Sequence, residues 1–280
     1  MQSNRITIIG LGNVGLTLNK ALPKAGYSIH GLYSRNKGAH PNVIDRLPRT
    51  SEELGDILFI TVSDSALKDV VDELSQRDLN FEGVTVLHCS GNENSELLQP
   101  FKDVGASVGA FHPMKAILKG QDSFEDVYFD IEGDTLAVKR MYELAKKLKA
   151  HAFEIPSSAK SLIHAASVMA SNYVVTLLNA SSEMAELSGV SKDEIEKALL
   201  SLTRSSLKNM LDKGIEHSLT GPIARGDLST IEKHLEDLSV NPKLVELYAK
   251  LGLLTIPLAK DVDIDTQRSL KDLFNGKIKD

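Results

Sequence analysis

The chain has 280 residues, 42% of them hydrophobic and 25% charged, the proportions of a water-soluble globular protein, and its length suits two domains at roughly 100–200 residues each. Against 32 Lys and Arg stand 38 Asp and Glu, a net charge of −6, which excludes the broad basic surface of a nucleic-acid-binding protein. The single cysteine, Cys89, excludes a disulfide framework and any multi-cysteine metal site, while aromatic residues are scarce at 5% and small residues fill the gap.

The first half alternates short β-branched runs with helical stretches. Arg5 to Ile9 reads as a strand, Val14 to Ala25 as a helix with Leu16, Leu18 and Leu22 on one face, and Tyr27 to Tyr33 as a second strand. The nearly all-apolar Ile57 to Val62 is a third, followed by a helix over Ser65 to Leu74 and by strands over Val84 to His88 and Ala106 to Ala110. Near-continuous apolar strands separated by helices predict a doubly wound, mostly parallel sheet covered on both faces. Val127 to Ile131, a helix over Thr135 to Leu148 and His151 to Ile155 continue the pattern. After Pro156 only helical periodicity remains: Lys160 to Leu187, Lys192 to Leu211, Asp227 to Leu238 and Lys243 to Leu254. The expected division is therefore an α/β domain over 1–155 and an all-helical domain over 156–280, with the polar, weakly patterned tail from Asp261 expected to fray in part. The apolar start, Ile6 to Gly12, is far shorter than the ~20 residues that span a bilayer, so the expected location is the cytoplasm, with no membrane partner.

Gly10-Leu11-Gly12-Asn13-Val14-Gly15 is a G-x-G-x-x-G directly after a strand and opening a helix. In that context Gly10 permits the tight turn, Gly12 lets backbone approach a pyrophosphate and Gly15 lets the helix pack on the strand. The amides and positive dipole end of the helix N-terminus face the phosphates. An NAD site wants an acid at the end of the second strand, to hold the ribose 2′-hydroxyl. Here that place reads Tyr33-Ser34-Arg35-Asn36-Lys37, and a hydroxyl followed by a guanidinium suits a 2′-phosphate, so NADP(H) is the expected cofactor. Ser63 and Ser90 end two further strands and are candidates for contact with ribose or substrate, with capping of the next helix as the alternative for each. His112, in Phe111-His112-Pro113-Met114, also follows a strand and is a candidate substrate contact, whereas Cys89 reads as a packed thiol.

In the long helix, Lys160, His164, Val168 and Asn172 follow one another at four-residue spacing on one face, flanked by Ser167 and Ser171. Buried polar groups need partners, and either a substrate or an interhelical network can supply them.

This combination of a glycine-turn domain and a helical domain opened by a polar-striped helix resembles the 6-phosphogluconate dehydrogenase-like superfamily, which includes 3-hydroxyacid dehydrogenases, pyrroline-5-carboxylate reductase and ketopantoate reductase. Leu87 to Gly91, Gly109 to Met114, Ile131 to Asp134, His164 to Ala166, Ala170 to Tyr173 and, most specifically, Leu219 to Asp227 resemble the Rossmann-like plus DUF2520 branch over nearly the whole chain. The resemblance implies a reductase, some members of that branch being non-classical ketopantoate reductases of pantothenate synthesis, and it implies a homodimer formed through the helical domain. Classical ketopantoate reductases carry Lys, Asn and Asn at four-residue spacing on the equivalent helix. This chain departs from that pattern in either alignment, so Lys160 and His164 both stand as the proton donor, with Asn172 and Ser171 expected to orient substrate. A substrate carboxylate needs a cation or a cluster of backbone amides, and Thr220 to Asp227 offers both, with Arg225 as the cation. By analogy with pyrroline-5-carboxylate reductase Arg225 completes a neighbour's site; the alternative is a turn in which Arg225 pairs with Asp227 and Asp227 caps the next helix. The sequence therefore points first to an NADPH-dependent reductase of a small 2-oxo acid, with an imine reductase and a non-catalytic NADP(H)-binding module as the competing readings.

Overall fold

A run such as Ile57-Leu58-Phe59-Ile60 offers no polar face, so it is stable only in a sheet with helices on both sides. The computed structural model, which describes residues 4–278, shows that arrangement in the first of two compact units; the units divide between Ser171 and Asn172. The first unit contains β1 (Arg5–Ile9), α1 (Asn13–Lys24), β2 (Ser28–Tyr33), β3 (Ile57–Ile60), α2 (Asp64–Ser75), β4 (Thr85–His88), α3 (Gln99–Lys102), β5 (Ser107–Pro113), β6 (Tyr128–Gly133), α4 (Thr135–Lys147) and β7 (His151–Glu154). The sheet order is β2-β1-β3-β4-β5-β6-β7. Because the chain returns from β2 past β1 to β3, a crevice opens between β1 and β3 at the carboxyl ends of the strands. Alternate residues feed two cores: Ile57 and Phe59 join Ile6, Ile8, Leu18 and Phe111, while Leu58 and Ile60 join Ile9, Leu67, Val71 and Val108.

Two features of this unit differ from the sequence reading. β5 does not stop at Ala110 but runs to Pro113, carrying His112 into the sheet, and β6 pairs with it antiparallel while the other neighbours are parallel. The connection 114–127 makes the reversal, and it lies over α1, where Asn13 Nδ2 donates to the Ile117 carbonyl at 2.9 Å and Lys24 pairs with Asp122 at 2.5 Å.

No strand follows Glu154 among the described residues, which is where the sequence changes texture; the compact units divide later, inside α5 (Lys160–Glu186). The second unit holds the rest of α5 with α6 (Lys192–Lys213), α7 (Pro222–Arg225), α8 (Leu228–Asp237), α9 (Pro242–Thr255) and α10 (Ile264–Asn275). Its core is built from Ala180, Ile231, Leu235, Leu244, Ala249, Ile256, Leu270 and Phe274. The tail expected to fray is thus largely a helix. Asp263 starts α10 by accepting from the Thr266 amide at 2.9 Å and hydroxyl at 2.7 Å, and Leu270 and Phe274, one turn apart, are fully buried. With only those two deep anchors the apolar periodicity is weak; Gly252 in α9 lets the Phe274 ring approach so closely that a Cβ there would sit 2.4 Å from it.

α6 buries no residue, and the segment Ser157–Glu186 has the length and mean hydropathy of a membrane-crossing helix although none of its most apolar stretch is buried in the chain. Among the described residues these faces are exposed.

Truncating Phe274 to Ala removes the ring that fills the α9–α10 contact, and it is expected to cost about 3–5 kcal/mol. Ile264→Ala, at a position 75% exposed on the same helix, is expected to cost little. Urea unfolding of the two variants checks whether the tail belongs to the core.

Candidate functional site

The glycine turn sits where β1 ends. Gly10 has φ +97°, and a Cβ there would lie 2.7 Å from the backbone of Thr61 and Val62 at the end of β3. At Gly15 a Cβ would lie 2.1 Å from the Gly10 carbonyl oxygen, so α1 packs directly on the turn. Nothing comes within 4 Å of a Cβ placed on Gly12, which leaves the backbone accessible at the N-terminus of α1. The three glycines therefore occupy the roles their spacing predicts. One partner was not legible: the buried Thr61 hydroxyl donates to the Gly10 carbonyl at 2.6 Å and fixes the turn from β3.

A cleft of 700 Å³ extends from this turn, lined by Gly10, Leu11 and Gly12 on one side, Tyr33, Ser34 and Arg35 at the end of β2, and Thr61, Val62 and Ser63 after β3. Asn13, Val14 and Gly15 lie behind the lining: Asn13 ties down the 114–127 connection, and all three belong to the first turn of α1, whose amides have no intrahelical partner. Ser34 and Arg35 line the cleft where β2 ends, directly after Tyr33, whose carbonyl accepts from the Gly10 amide at 2.8 Å. Lys37 instead pairs with Asp45 at 2.6 Å on the surface. In the same loop Arg46 pairs with Glu53 at 2.6 Å and lies 5.9 Å from the Tyr33 ring centroid; the Arg46 hydrogen bond holds the Glu53 carboxyl down at about 2, and burial pushes the Tyr33 phenol up to about 12.

The two strand-end serines take different places. Ser63 lines the cleft and its side chain makes no cap to α2, bonding Ser65 Oγ at 3.1 Å instead. Ser90 is buried and its oxygen accepts from the Asn92 and Glu93 amides at 3.1 and 3.0 Å, closing the loop after β4. His88, fully buried beneath that loop, receives the Ser90 amide on Nδ1 at 3.2 Å and donates from Nε2 to the Asn94 carbonyl at 3.1 Å. Burial pushes its pKa down to about 4, so it is a neutral structural imidazole. Burial likewise pushes the Cys89 thiol up to about 12, which fits a packed thiol rather than a nucleophile.

Beyond the loop lies a charged array that the sequence did not disclose. In the antiparallel β5–β6 pair His112 is opposite Asp130, which brings their side chains together on one face of the sheet. His112 Nδ1 donates to Asp130 Oδ2 at 2.6 Å, and Lys160, in the first turn of α5, donates from Nζ to Asp130 Oδ1. Asp130 and Lys160 are only 1% and 2% exposed, against 14% for His112. Burial works to raise the Asp130 pKa, but the bond from His112 and the Lys160 charge outweigh it and hold the carboxyl below its ordinary value. Two residues along β6, on the same face, buried Glu132 accepts from the Ser95 amide and hydroxyl at 2.6 and 2.7 Å and from the Ser157 hydroxyl at 2.8 Å. β6 thus anchors the start of α5 through both acids.

His164, one turn beyond Lys160, meets His112 edge-on with ring centroids 5.7 Å apart, and its Nδ1 is buried without a hydrogen-bond partner. Both imidazoles converge over Gly91, where a Cβ would lie 2.3 Å from His164 Nδ1 and 2.8 Å from His112 Nε2. Of the predicted α5 residues, Lys160, His164 and Ser171 belong to the first unit; the Ser171 hydroxyl donates back to the Ser167 carbonyl at 2.6 Å. Asn172 opens the second unit. Arg225, 65% exposed in the second unit, lies 4.0 Å from Asp227, which caps α8 by accepting from the Thr230 amide at 3.1 Å, the local arrangement weighed as the alternative to a substrate role.

Residues 1–113 match the family described as a Rossmann-like domain, and residues 127–255 match the one described as a domain of unknown function, DUF2520. The chain thus carries a Rossmann-like match followed by a DUF2520 match. Curated proteins provide no match. Among solved structures, a Bacteroides fragilis protein named as an NADP oxidoreductase superposes with a TM-score of 0.70 at 20% identity, covering 96% of this chain and 98% of that one. A reductive aminase from Aspergillus terreus, solved with NADPH and ethyl-5-oxohexanoate, gives a TM-score of 0.63 at 14% identity over 98% of this chain and 93% of its own. A pyrroline carboxylate reductase from Plasmodium falciparum, solved with NADP, gives 0.58 at 14% identity over 98% and 99%. At these identities the likeness is one of fold.

The neutral state of His88 makes the stability of the first unit depend on pH. An unfolded histidine takes up its proton near 6.5, whereas the folded one does so only near 4, so the unfolded state binds more protons in between and stability is lost as pH falls through that window. The loss attributable to His88 is on the order of 3 kcal/mol at most. Urea midpoints at neutral pH and at pH near 5 are expected to differ more for the unaltered protein than for His88→Gln.

Proposed function

We propose that the chain is a cytoplasmic, NADPH-dependent reductase of a small 2-oxo acid, with ketopantoate, reduced to pantoate, as its foremost substrate. The observation that carries this reading is the meeting, on one carboxyl edge of one sheet, of a glycine turn open at Gly12 and a pair of imidazoles converging over Gly91. Bound NADPH supplies a hydride. The chain supplies the rest: amides of the first turn of α1 for the pyrophosphate, Ser34 and Arg35 for the 2′-phosphate, and the His112–His164 imidazole pair for the oxygen of the substrate. Of the two proton donors proposed from sequence, Lys160 is buried against Asp130 and His164 has its Nδ1 buried against Gly91, beside the partly exposed His112. The fold likeness to a reductive aminase and a pyrroline carboxylate reductase supports a second reading, reduction of a C=N bond.

NADPH oxidation measured against a panel of 2-oxo acids and cyclic imines separates the two readings, and binding without turnover on any of them leaves the non-catalytic module. Arg35→Ala is expected to raise the Kd for NADPH by about 10–100-fold through loss of a charged hydrogen bond, with NADH binding unchanged. Asn172→Ala and Arg225→Ala test the substrate-orienting and carboxylate-binding roles expected of them, through KM for the oxo acid.

The reading includes a homodimer. Leu200, Leu207 and Leu211, on one face of α6, are 57%, 49% and 86% exposed, and the most apolar stretch of α5 is exposed as well, surfaces that a second copy of the chain would cover. Light scattering is expected to give twice the 30.5 kDa chain mass, and Leu200→Asp with Leu211→Asp to shift it to the monomer.

A further inference from the structure

The buried array gives Lys160 a different task from the one the helix stripe suggests. We infer that Asp130 is a positioning residue that fixes the tautomer and orientation of His112, and that His112, through Nε2, is the proton donor to the substrate oxygen, with Lys160 acting only as the buried counter-ion of Asp130. This rests on the reductase reading above.

The argument starts from donor and acceptor capacity. An ionised carboxylate only accepts hydrogen bonds, so the contact between Asp130 Oδ2 and His112 Nδ1 puts a proton on Nδ1 and turns Nε2 outward. Lys160 occupies the other oxygen, Oδ1, and compensates the carboxylate charge. Lys160 itself is 2% exposed, so its ammonium is enclosed, whereas His112 retains 14% exposure. Nε2 of His112 and the buried Nδ1 of His164 both pack against Gly91, so closely that a Cβ there would lie 2.8 and 2.3 Å from them. That nitrogen of His164 is enclosed, whereas His112, partly exposed and with Nδ1 held by Asp130, keeps Nε2 as its one nitrogen for a substrate oxygen. His88, the remaining imidazole nearby, has both nitrogens engaged by the loop and takes no part.

The proton balance is simple. As the hydride reaches the carbonyl carbon, the C=O π pair moves to oxygen, and oxygen takes the Nε2 proton of doubly protonated His112. The ring is left neutral with its Nδ1 proton still held by Asp130, and solvent returns a proton to Nε2. Asp130 and Lys160 keep their charges throughout.

The decisive variant is Asp130→Asn. Lys160 has only protons to offer, so the Asn carbonyl must face Lys160 and its NH2 must face His112, which forces Nδ1 to accept and moves the neutral ring to the Nε2–H tautomer. Histidine-selective 15N NMR of the nucleotide-free protein is expected to show the Nδ1–H tautomer for His112 in the unaltered chain and the Nε2–H tautomer in Asp130→Asn. With an active oxo acid, kcat is expected to fall by about 10²–10⁴-fold in both Asp130→Asn and His112→Gln, with NADPH affinity kept and KM within a few-fold. His112→Gln leaves the Lys160–Asp130 pair intact, so it serves if Asp130→Asn does not fold. An Nε2–H tautomer in the unaltered protein overturns the inference. So does a kcat within about threefold of normal in His112→Gln, which leaves the reductase reading standing. If the unaltered protein turns over no substrate, the reductase reading fails, and the tautomers alone decide the role of Asp130.

Discussion

A carboxylate buried to 1% exposure must be compensated, and most of what is particular about the first unit follows from how Asp130 meets that constraint. It sits on a strand running against its neighbour, shares one oxygen with His112 across the pair and the other with the first residue of the long helix. Removing one partner of such a pair leaves an unpaired buried charge, commonly a loss of about 3–5 kcal/mol, so the start of α5 has little freedom to drift from the sheet. Glu132 repeats the arrangement two residues along, holding Ser95 and Ser157 with neutral donors instead of an ammonium. The reversal of β6 is what makes this possible: it brings its acids to the carboxyl edge where the parallel strands end.

The two halves of the candidate site are held by different physics. The glycine turn is defined by what is missing, side chains at Gly10 and Gly15 that the Thr61–Val62 backbone and the turn's own carbonyl would exclude. It is ready for a phosphate because the first-turn amides of α1 have no other acceptor. The imidazole pair is defined by what is present, a charge-compensated scaffold beneath His112 and an uncompensated nitrogen on His164. A buried nitrogen left unbonded typically costs about 1–3 kcal/mol, a destabilisation that a ligand with a matching group relieves.

What the sequence disclosed follows the range of the interaction. The glycine turn, the continuous apolar strands and the long helix are set by neighbours within a turn or a strand, and each falls within a few residues of its expected bounds. The missing acid after β2, with Ser34 and Arg35 in its place, is equally local. Asp130 was invisible because its role depends on pairing with His112 across a connection of irregular chain, and the β-strand pattern around it carries no sign of antiparallel register. The serines show the same limit: Ser63 and Ser90 end similar strands, yet one lines the cleft and the other closes its own loop, a difference fixed by the backbone that follows them. α10 was obscured for another reason, since two buried anchors one turn apart give too little periodicity to stand out from a charged tail.

The scarcity of aromatic residues now has a structural counterpart. Where this chain makes its closest approaches it uses glycine against a ring or a carbonyl: Gly91 beneath two imidazoles, Gly252 against Phe274, Gly15 on the phosphate turn. Large side chains at such points would separate the elements that carry the chemistry. The same economy of bulk leaves several apolar side chains of α5 and α6, among them Leu162, Met169, Leu200 and Leu211, exposed among the described residues. Burial of apolar surface is roughly proportional to area, so a long uncovered helix is a strong drive to association. The polar anchor at Lys160 fixes where α5 begins, and on the homodimer reading the exposed apolar length beyond it is what a second copy would cover. Assembly and the imidazole site would then depend on one helix, pinned at its start by a buried ion pair.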